Sequence, residues 1–286
     1  MVKRDSRVKI FFTYAALIFW SLVVIVPLYW TVVTSFKNPI DVSRGPKYLP
    51  GIDFTPTLDW WSYFFVSEWR SFSSQYFNSI FISIVSSVVC LAIGSLAAYA
   101  LARFQYRLGK MRNNDIAFWF VSQRILPPVV VVIPLYVLYQ FLHIHDTKFG
   151  LILAYATFNL PFVVWLMRDY FLGIPAELEE SAYIDGCSKF EAFWRITLPL
   201  SSPGLVATFL FIIVFAWNEY LIANFLTQTL NSQTMPLLVT AQNAQRGPQW
   251  WSISVLTIVV IAPVSVLAYF LERYISRGLL VGAVKG

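Results

Sequence analysis

Three groups of residues in this chain could do chemistry. The first lies inside long apolar runs: Gln123 and Arg124, Asn159, and the trio Asn218, Glu219 and Tyr220. Amide, carboxylate and phenol groups can bind a polyhydroxylated molecule, and polar groups set in apolar runs usually face a cavity. The same groups can instead join helices through hydrogen bonds. Arg124 suits a contact with Glu219 or a backbone carbonyl as well as it suits a solute. The second group is His143-x-His145-Asp146, whose side-chain types could hold a metal. These are the only two histidines in the chain, and no further ligand cluster accompanies them, so the reading is a solvated loop and no metal site. The third group is the stretch Glu177–Glu191, with six charged residues: Glu177, Glu179, Glu180, Asp185, Lys189 and Glu191. Nucleotide chemistry is not encoded, because neither G-x-x-x-x-G-K-[ST] nor G-x-G-x-x-G occurs.

Composition says what must position these groups. The chain has 286 residues, 58% hydrophobic and 13% charged, where a soluble domain carries about 25% charge. It reads as a membrane protein. About 20 apolar residues cross a bilayer as a helix. Six stretches qualify: Ile10–Ser35, Ser79–Arg103, Ile116–Phe141, Leu151–Met167, Pro203–Ala223 and Ile253–Phe270. In lipid the backbone must satisfy itself, so each is predicted to be a helix, the third broken at Pro127-Pro128 beside Gln123 and Arg124, where unwound backbone can line a cavity. The first run follows Lys3, Arg4, Arg7 and Lys9 and exceeds the roughly 7–15 residues of a signal-peptide core, so it is expected to be a retained span.

With the N-terminus in the cytoplasm, inner segments hold fourteen Lys and Arg against six in outer segments. That bias places both termini inside. Cations scattered at segment ends, not gathered on one face, argue against a nucleic-acid partner. Cys90 and Cys187 sit in different surroundings and make no disulfide framework. The outer loop 37–77 holds Trp60, Trp61, Tyr63, Phe64, Phe65 and Trp69, which suits an interfacial helix. The other large outer loop, 227–251, is polar.

Each charge of Glu177–Glu191 would cost about 2.5–3.5 kcal/mol at a bilayer centre, so the stretch lies outside the hydrocarbon, on the inner face. Pro175 suits a first helical turn. That helix should stop at Asp185-Gly186, where Gly can take a left-handed backbone. Ser188 and Glu191 have capping-box spacing and should open a second helix. Phe190, Phe193 and Trp194 recur at helical spacing as one apolar face, and Pro199 and Pro203 end it before the fifth span. A helix–turn–helix of this kind serves equally as a surface connector or a docking element.

Glu180, Ser181, Ala182 and Gly186, followed after nine residues by Ile196, Leu198 and Pro199, resemble the EAA loop of permease subunits of ATP-binding-cassette importers. Ser181 replaces the first Ala of that pattern, and Asp185 before the Gly also fits. The resemblance runs the length of the chain. Asn78-Ser79, Ala97-Ala98-Tyr99-Ala100, Arg124-Ile125-Leu126-Pro127-Pro128 and Trp217-Asn218-Glu219-Tyr220 are similar to the carbohydrate-uptake branch. Arg277-Gly278 with Gly282-Ala283-Val284-Lys285-Gly286 is similar to the maltose-type second permease, the MalG-like subfamily.

The resemblance implies an all-α integral membrane protein: six transmembrane helices of the type I importer permease (MetI-like) fold with a cytoplasmic coupling helix. The implied organisation is 1–78 (tail, first span and outer loop), 79–276 (a five-helix core containing the EAA loop 174–200) and 277–286 (cytoplasmic tail). Such a chain is a multi-pass, non-catalytic subunit of the inner membrane. Its implied partners are a second permease in a heterodimer, two ATPase subunits that carry the ATP and Mg, a periplasmic solute-binding protein and a sugar or sugar derivative. No cofactor is expected in the chain itself. The coupling residues carried over are Glu179, Glu180, Ser181, Ala182, Asp185, Gly186, Phe190, Phe193, Ile196, Leu198 and Pro199. In that reading Glu179–Phe193 is a lever, Glu180 pairs with the ATPase, and Phe190 and Phe193 fill a pocket on it. Gln123, Arg124, Asn159, Asn218, Glu219 and Tyr220 are the candidate solute path. Asn231, Ser232 and Gln233 are the candidate contact with the binding protein.

Overall fold

A computed structural model describes residues 7–244 and 247–282. Lys3, Arg4, Arg246 and the closing Ala283-Val284-Lys285-Gly286 lie outside the described residues. The chain opens with α1 (Arg7–Thr34), exposed from residue 8 to residue 30 and apolar on every side. A helix hydrophobic all round has lipid as its solvent. Two short helices follow, α2 (Pro39–Ser43) and α3 (Asp59–Ser62), and α3 runs into a π-turn at Tyr63–Ser67 inside the aromatic loop.

Helix α4 (Trp69–Arg103) has 35 residues, about 52 Å at 1.5 Å per residue, and so exceeds the roughly 30 Å hydrocarbon layer. It starts at Trp69, well before the expected Ser79. Ser71, Ser73, Ser74 and Gln75 hide that first part, since polar side chains dilute the apolar signal without stopping the helix. Strands β1 (Arg107–Leu108) and β2 (Met111–Arg112) form a hairpin closed through Gly109 at φ +62°.

The expected third span is two pieces, α5 (Asn113–Ser122) and α6 (Pro128–Phe141), joined by a 3-10 turn at Gln123–Ile125 and bent by 89°. Pro127-Pro128 causes the break, because proline offers no N–H to the preceding turn. Helix α7 (Lys148–Leu172) is capped by Thr147, whose hydroxyl accepts from the Gly150 N–H at 3.0 Å. Then come α8 (Glu177–Ile184), α9 (Lys189–Ala192), a π-turn (Phe193–Thr197), α10 (Leu198–Leu200) and α11 (Ser202–Trp217). The chain ends through α12 (Leu221–Leu226), α13 (Met235–Ala241), the short pair β3 (Asn243–Ala244) and β4 (Gly247–Pro248), and α14 (Trp250–Gly282). The expected fifth span, Pro203–Ala223, is therefore not continuous: it stops at Trp217 and restarts at Leu221.

Among the described residues four helices (α1, α4, α7 and α14) are long and apolar enough to cross a membrane. Two bent pairs raise the number to six: α5 with α6, and Lys189–Leu200 with α11, the latter bent by 75°. The residues form two compact units. One holds the chain up to Trp69 together with Leu238–Ala262. In it Lys37 is buried, donating to the Lys47 carbonyl at 2.7 Å and lying 4.0 Å from the Trp30 ring.

The other unit holds Arg70–Leu237 and the residues from Pro263 on. Its core joins α4, α7 and α11 through Cys90, Ala98, Tyr99, Val163, Met167, Phe171 and Ile212. Small residues let α4 and α7 approach closely. A Cβ on Gly94 would sit 2.5 Å from a Val163 methyl.

Candidate functional site

The charged hairpin is built as its capping signals require. Helix α8 ends at Ile184, and Gly186 turns the chain at φ +91°. Ser188 caps α9: its hydroxyl accepts the Glu191 N–H at 3.3 Å, while the Glu191 carboxylate accepts the Ser188 N–H at 2.8 Å.

The two adjacent glutamates of α8 meet different surroundings. Glu180 is exposed, whereas Glu179 is 2% exposed. The Glu179 carboxylate accepts from Arg103 Nε at 2.6 Å, from the Tyr99 hydroxyl at 2.7 Å and from the Thr197 hydroxyl at 2.7 Å. Arg103 also donates to the Ile174 carbonyl at 3.0 Å. Burial alone would raise the Glu179 carboxyl, but the hydrogen bonds from Tyr99, Thr197 and Arg103 outweigh it and hold the group below the usual carboxylate range. The carboxylate thus ties the end of α4 to α8 and to the π-turn before α10.

Phe193 is 2% exposed and packs on Tyr99, ring centroids 4.6 Å apart, and on Phe171. It therefore cannot fill a partner's pocket, which corrects the expectation of a single Phe190–Phe193–Trp194 face. Glu179 likewise anchors from within and does not present itself to a partner. The groups left outside are Phe190 (62% exposed), Trp194 (52%) and Ile184 (87%). Ser181, Asp185 and Gly186 are exposed, Ala182 is buried, and Ile196, Leu198 and Pro199 continue the chain towards α11.

A second polar group surrounds a cavity of about 90 Å³ lined by Arg124, Tyr155, Phe158, Asn159, Phe215 and Glu219, among others. Arg124 donates to the Phe158 carbonyl at 3.0 Å and lies 4.1 Å from the Phe162 ring. Of the two protein contacts expected for it, the structure has the backbone one. The Glu219 carboxylate accepts the N–H groups of Ile222 (3.0 Å) and Ala223 (3.2 Å), so it caps α12 and causes the interruption of the fifth span. Tyr155 donates to the Glu219 carbonyl at 3.2 Å. The amide N–H groups of Gln123, Asn159 and Asn218 each donate to a carbonyl four residues back in their own segment and not to a second helix. Gln123, Asn218 and Tyr220 are exposed.

A third cluster fixes the polar loop after α12. The Asp146 carboxylate accepts from Gln228 N (2.8 Å), Thr229 N (3.0 Å), the Thr229 hydroxyl (2.8 Å) and the Ser232 hydroxyl. Burial would raise its pKa, yet these four bonds hold it at about 2. From α4, Ser74 donates to the Leu230 carbonyl, and Asn78 donates to the carbonyls of Leu230 and Gln233, both at 2.9 Å. Ser232 is fully buried, so it holds the loop and cannot touch a partner; Asn231 is exposed.

Residues 91–281 match the family described as binding-protein-dependent transport system inner membrane component. The probable ABC transporter permease protein y4oR of Sinorhizobium fredii is 35% identical over 272 residues, 94% of each chain. The trehalose transport system permease protein SugB of Mycobacterium tuberculosis is 33% identical, covering 92% of this chain and 93% of its own. A chain from a bacterial ABC transporter involved in the import of alginate superposes with TM-score 0.74 over 96% of this chain, at 22% identity. The chain belongs to this permease family.

It is thus a membrane-spanning permease subunit of ABC importers and not a catalytic enzyme. Its fold is the MetI-like permease fold. In this permease, sequence reasoning missed Tyr99, Arg103 and Thr197 as partners of Glu179. The only signal was an Arg closing an apolar run beside a Tyr. It also missed Ile184, an isolated apolar residue among acids, and Tyr155, hidden in an apolar helix.

Proposed function

We propose that this permease carries a sugar or sugar derivative inward across the bacterial inner membrane, with both termini and the hairpin 174–200 in the cytoplasm. It forms a heterodimer with a second permease and couples to two ATPase subunits that hold the ATP and Mg. The observation that carries the reading is the division of the hairpin into an anchored inner side and an exposed outer side. Glu179 fixes it to α4, while Ile184, Phe190, Trp194 and Glu180 of the same hairpin are exposed. Exposed apolar side chains grouped with a charge mark a contact surface. A lever needs both a rigid joint and a face to be pushed.

The sugar class is supported by the trehalose permease among the relatives and by the Tyr, Asn, Glu and Arg groups around the cavity at Arg124 and Glu219. A cavity of about 90 Å³ is below the roughly 300–1,000 Å³ of ligand sites, so the second permease must supply the rest of the path. Of the three candidates in the outer loop, the exposed Asn231 is the contact for a solute-loaded binding protein; Ser232 and the backbone of Gln233 act as its support.

The test is Phe190→Asp and Ile184→Asp in the assembled transporter. Both variants should insert and melt like the parent, fail to copurify with the ATPase, and lose ATP-dependent sugar uptake. Full ATPase retention and normal uptake in both would overturn the assignment.

A further inference from the structure

The β1–β2 hairpin carries a charge arrangement that the transport reading does not use. Arg107 and Arg112 are partners in register across its two strands, which places their Cβ atoms about 4.5–5.5 Å apart. Like charges directly opposite destabilise a strand pair. Among the described residues no ion pair joins either guanidinium to a carboxylate. The nearest acid by sequence, Asp115, is engaged by the Arg112 backbone N–H at 2.8 Å. Lys110 in the turn adds a third cation. Beside the pair opens a cavity of about 340 Å³ lined by Gln105, Tyr106, Arg107, Arg112, Asn113 and Asn114.

We propose that the Arg107–Arg112 pair is a binding site for the phosphate of an anionic phospholipid headgroup. A phosphate oxyanion between two opposed guanidinium groups converts their repulsion into attraction, and arginine's planar fork suits it. The occupant is a lipid because the hairpin links the end of α4 directly to the start of α5, both parts of candidate spans. Tyr106 and Leu108, 44% and 69% exposed, flank Arg107 as apolar anchors. An interfacial aromatic and an exposed aliphatic next to cations match a headgroup boundary. Assignment to the inner leaflet rests on the orientation proposed above; the site itself does not.

The experiment places the complete transporter in nanodiscs of equal phosphatidylglycerol and phosphatidylcholine and counts retained lipid by native mass spectrometry. The parent should retain phosphatidylglycerol in preference. Near-surface arginines weigh about fivefold each, so Arg107→Gln with Arg112→Gln should lower that preference by roughly thirtyfold. An unchanged preference overturns the site. Displacement of phosphatidylglycerol by millimolar inorganic phosphate overturns the lipid assignment in favour of a soluble anion. In detergent without anionic lipid the double variant should melt no lower than the parent, since it loses a repulsive pair. A lower melting point would mean that the arginines only brace the fold, and would also overturn the proposal. Impermeant maleimide labelling of Leu108→Cys in intact cells reads the orientation separately.

Discussion

Glu179→Gln tests the anchor on which the lever depends. The parent side chain is 2% exposed and takes three donors at 2.6–2.7 Å. The amide keeps the volume but loses the charge and turns one acceptor into a donor facing Arg103, whose side chain is itself only 11% exposed. Breaking a buried ion pair costs about 3–5 kcal/mol because one charge is left uncompensated. One amide oxygen can still accept from Tyr99 or Thr197, and Arg103 keeps its bond to the Ile174 carbonyl. The loss should therefore fall near the lower end, about 3 kcal/mol. At about 2–4 °C per kcal/mol the melting temperature of the purified complex should drop by about 6–12 °C. A double-mutant cycle with Arg103→Gln should give a coupling energy of about 2 kcal/mol, since residues in one hydrogen-bonded network are not additive. Glu180→Gln, on the exposed side of the same helix, should leave melting within about 0.5 kcal/mol of the parent. Melting of Glu179→Gln within 1 °C of the parent (roughly a quarter to a half of a kcal/mol), or strict additivity with Arg103→Gln, would refute the anchor.

Three further outcomes follow from single positions. Gly186 stands at φ +91° in open space, so substitutions there cost backbone strain of about 1–2 kcal/mol without a clash; uptake should fall in the order Gly, Asn, Ala, Val, and equal uptake by all four would show that the turn is not needed. The Asp146 carboxyl is held at about 2, below the ordinary 3.8, so its contribution is complete above about pH 4 and lost as pH falls through about 2. Discounted for solvent screening it amounts to about 1 kcal/mol, and the pH-dependent melting of the parent between pH 5 and 2 should flatten in Asp146→Asn. Gly94→Ala drives a Cβ to 2.5 Å from Val163 and should cost about 1–3 kcal/mol by overpacking; adding Val163→Ala should restore part of the lost melting temperature, and no restoration would mean that α4 and α7 do not meet there.

The spans were legible because bilayer thickness fixes the length of an apolar run, and Pro127-Pro128 announced its own break. The hairpin caps were legible because Ser188, Glu191 and Gly186 act within a few residues of themselves. Directions were not. Glu179 and Glu180 are about 100° apart on one helix, and the partners that choose between them, Tyr99 and Arg103, lie 80 and 76 positions away. Phe193 and Trp194 face the same ambiguity, and the contact of Phe193 with Tyr99 settles it. The interruption of the fifth span was hidden because Glu219 reads as a polar residue in an apolar run, and its capping role exists only once α12 starts beyond it.

These long-range contacts converge on α4. Near one end it carries Ser74 and Asn78, which hold the loop at Leu230 and Gln233, and Ser79, whose hydroxyl accepts the Met235 N–H at 2.7 Å. At the other end it carries Tyr99 and Arg103, which hold Glu179. From Asn78 to Arg103 the helix is unbroken and contains no proline, a run of about 37 Å at 1.5 Å per residue. In the proposed orientation a displacement of α8 cannot occur without either breaking a buried ion pair or moving α4. Breaking the pair costs about 3–5 kcal/mol, whereas a joint shift of α8 and α4 keeps it. That joint shift is itself resisted by the packing of α4 on α7 at Gly94 and Val163 and by Asp146, which holds the same loop through four bonds.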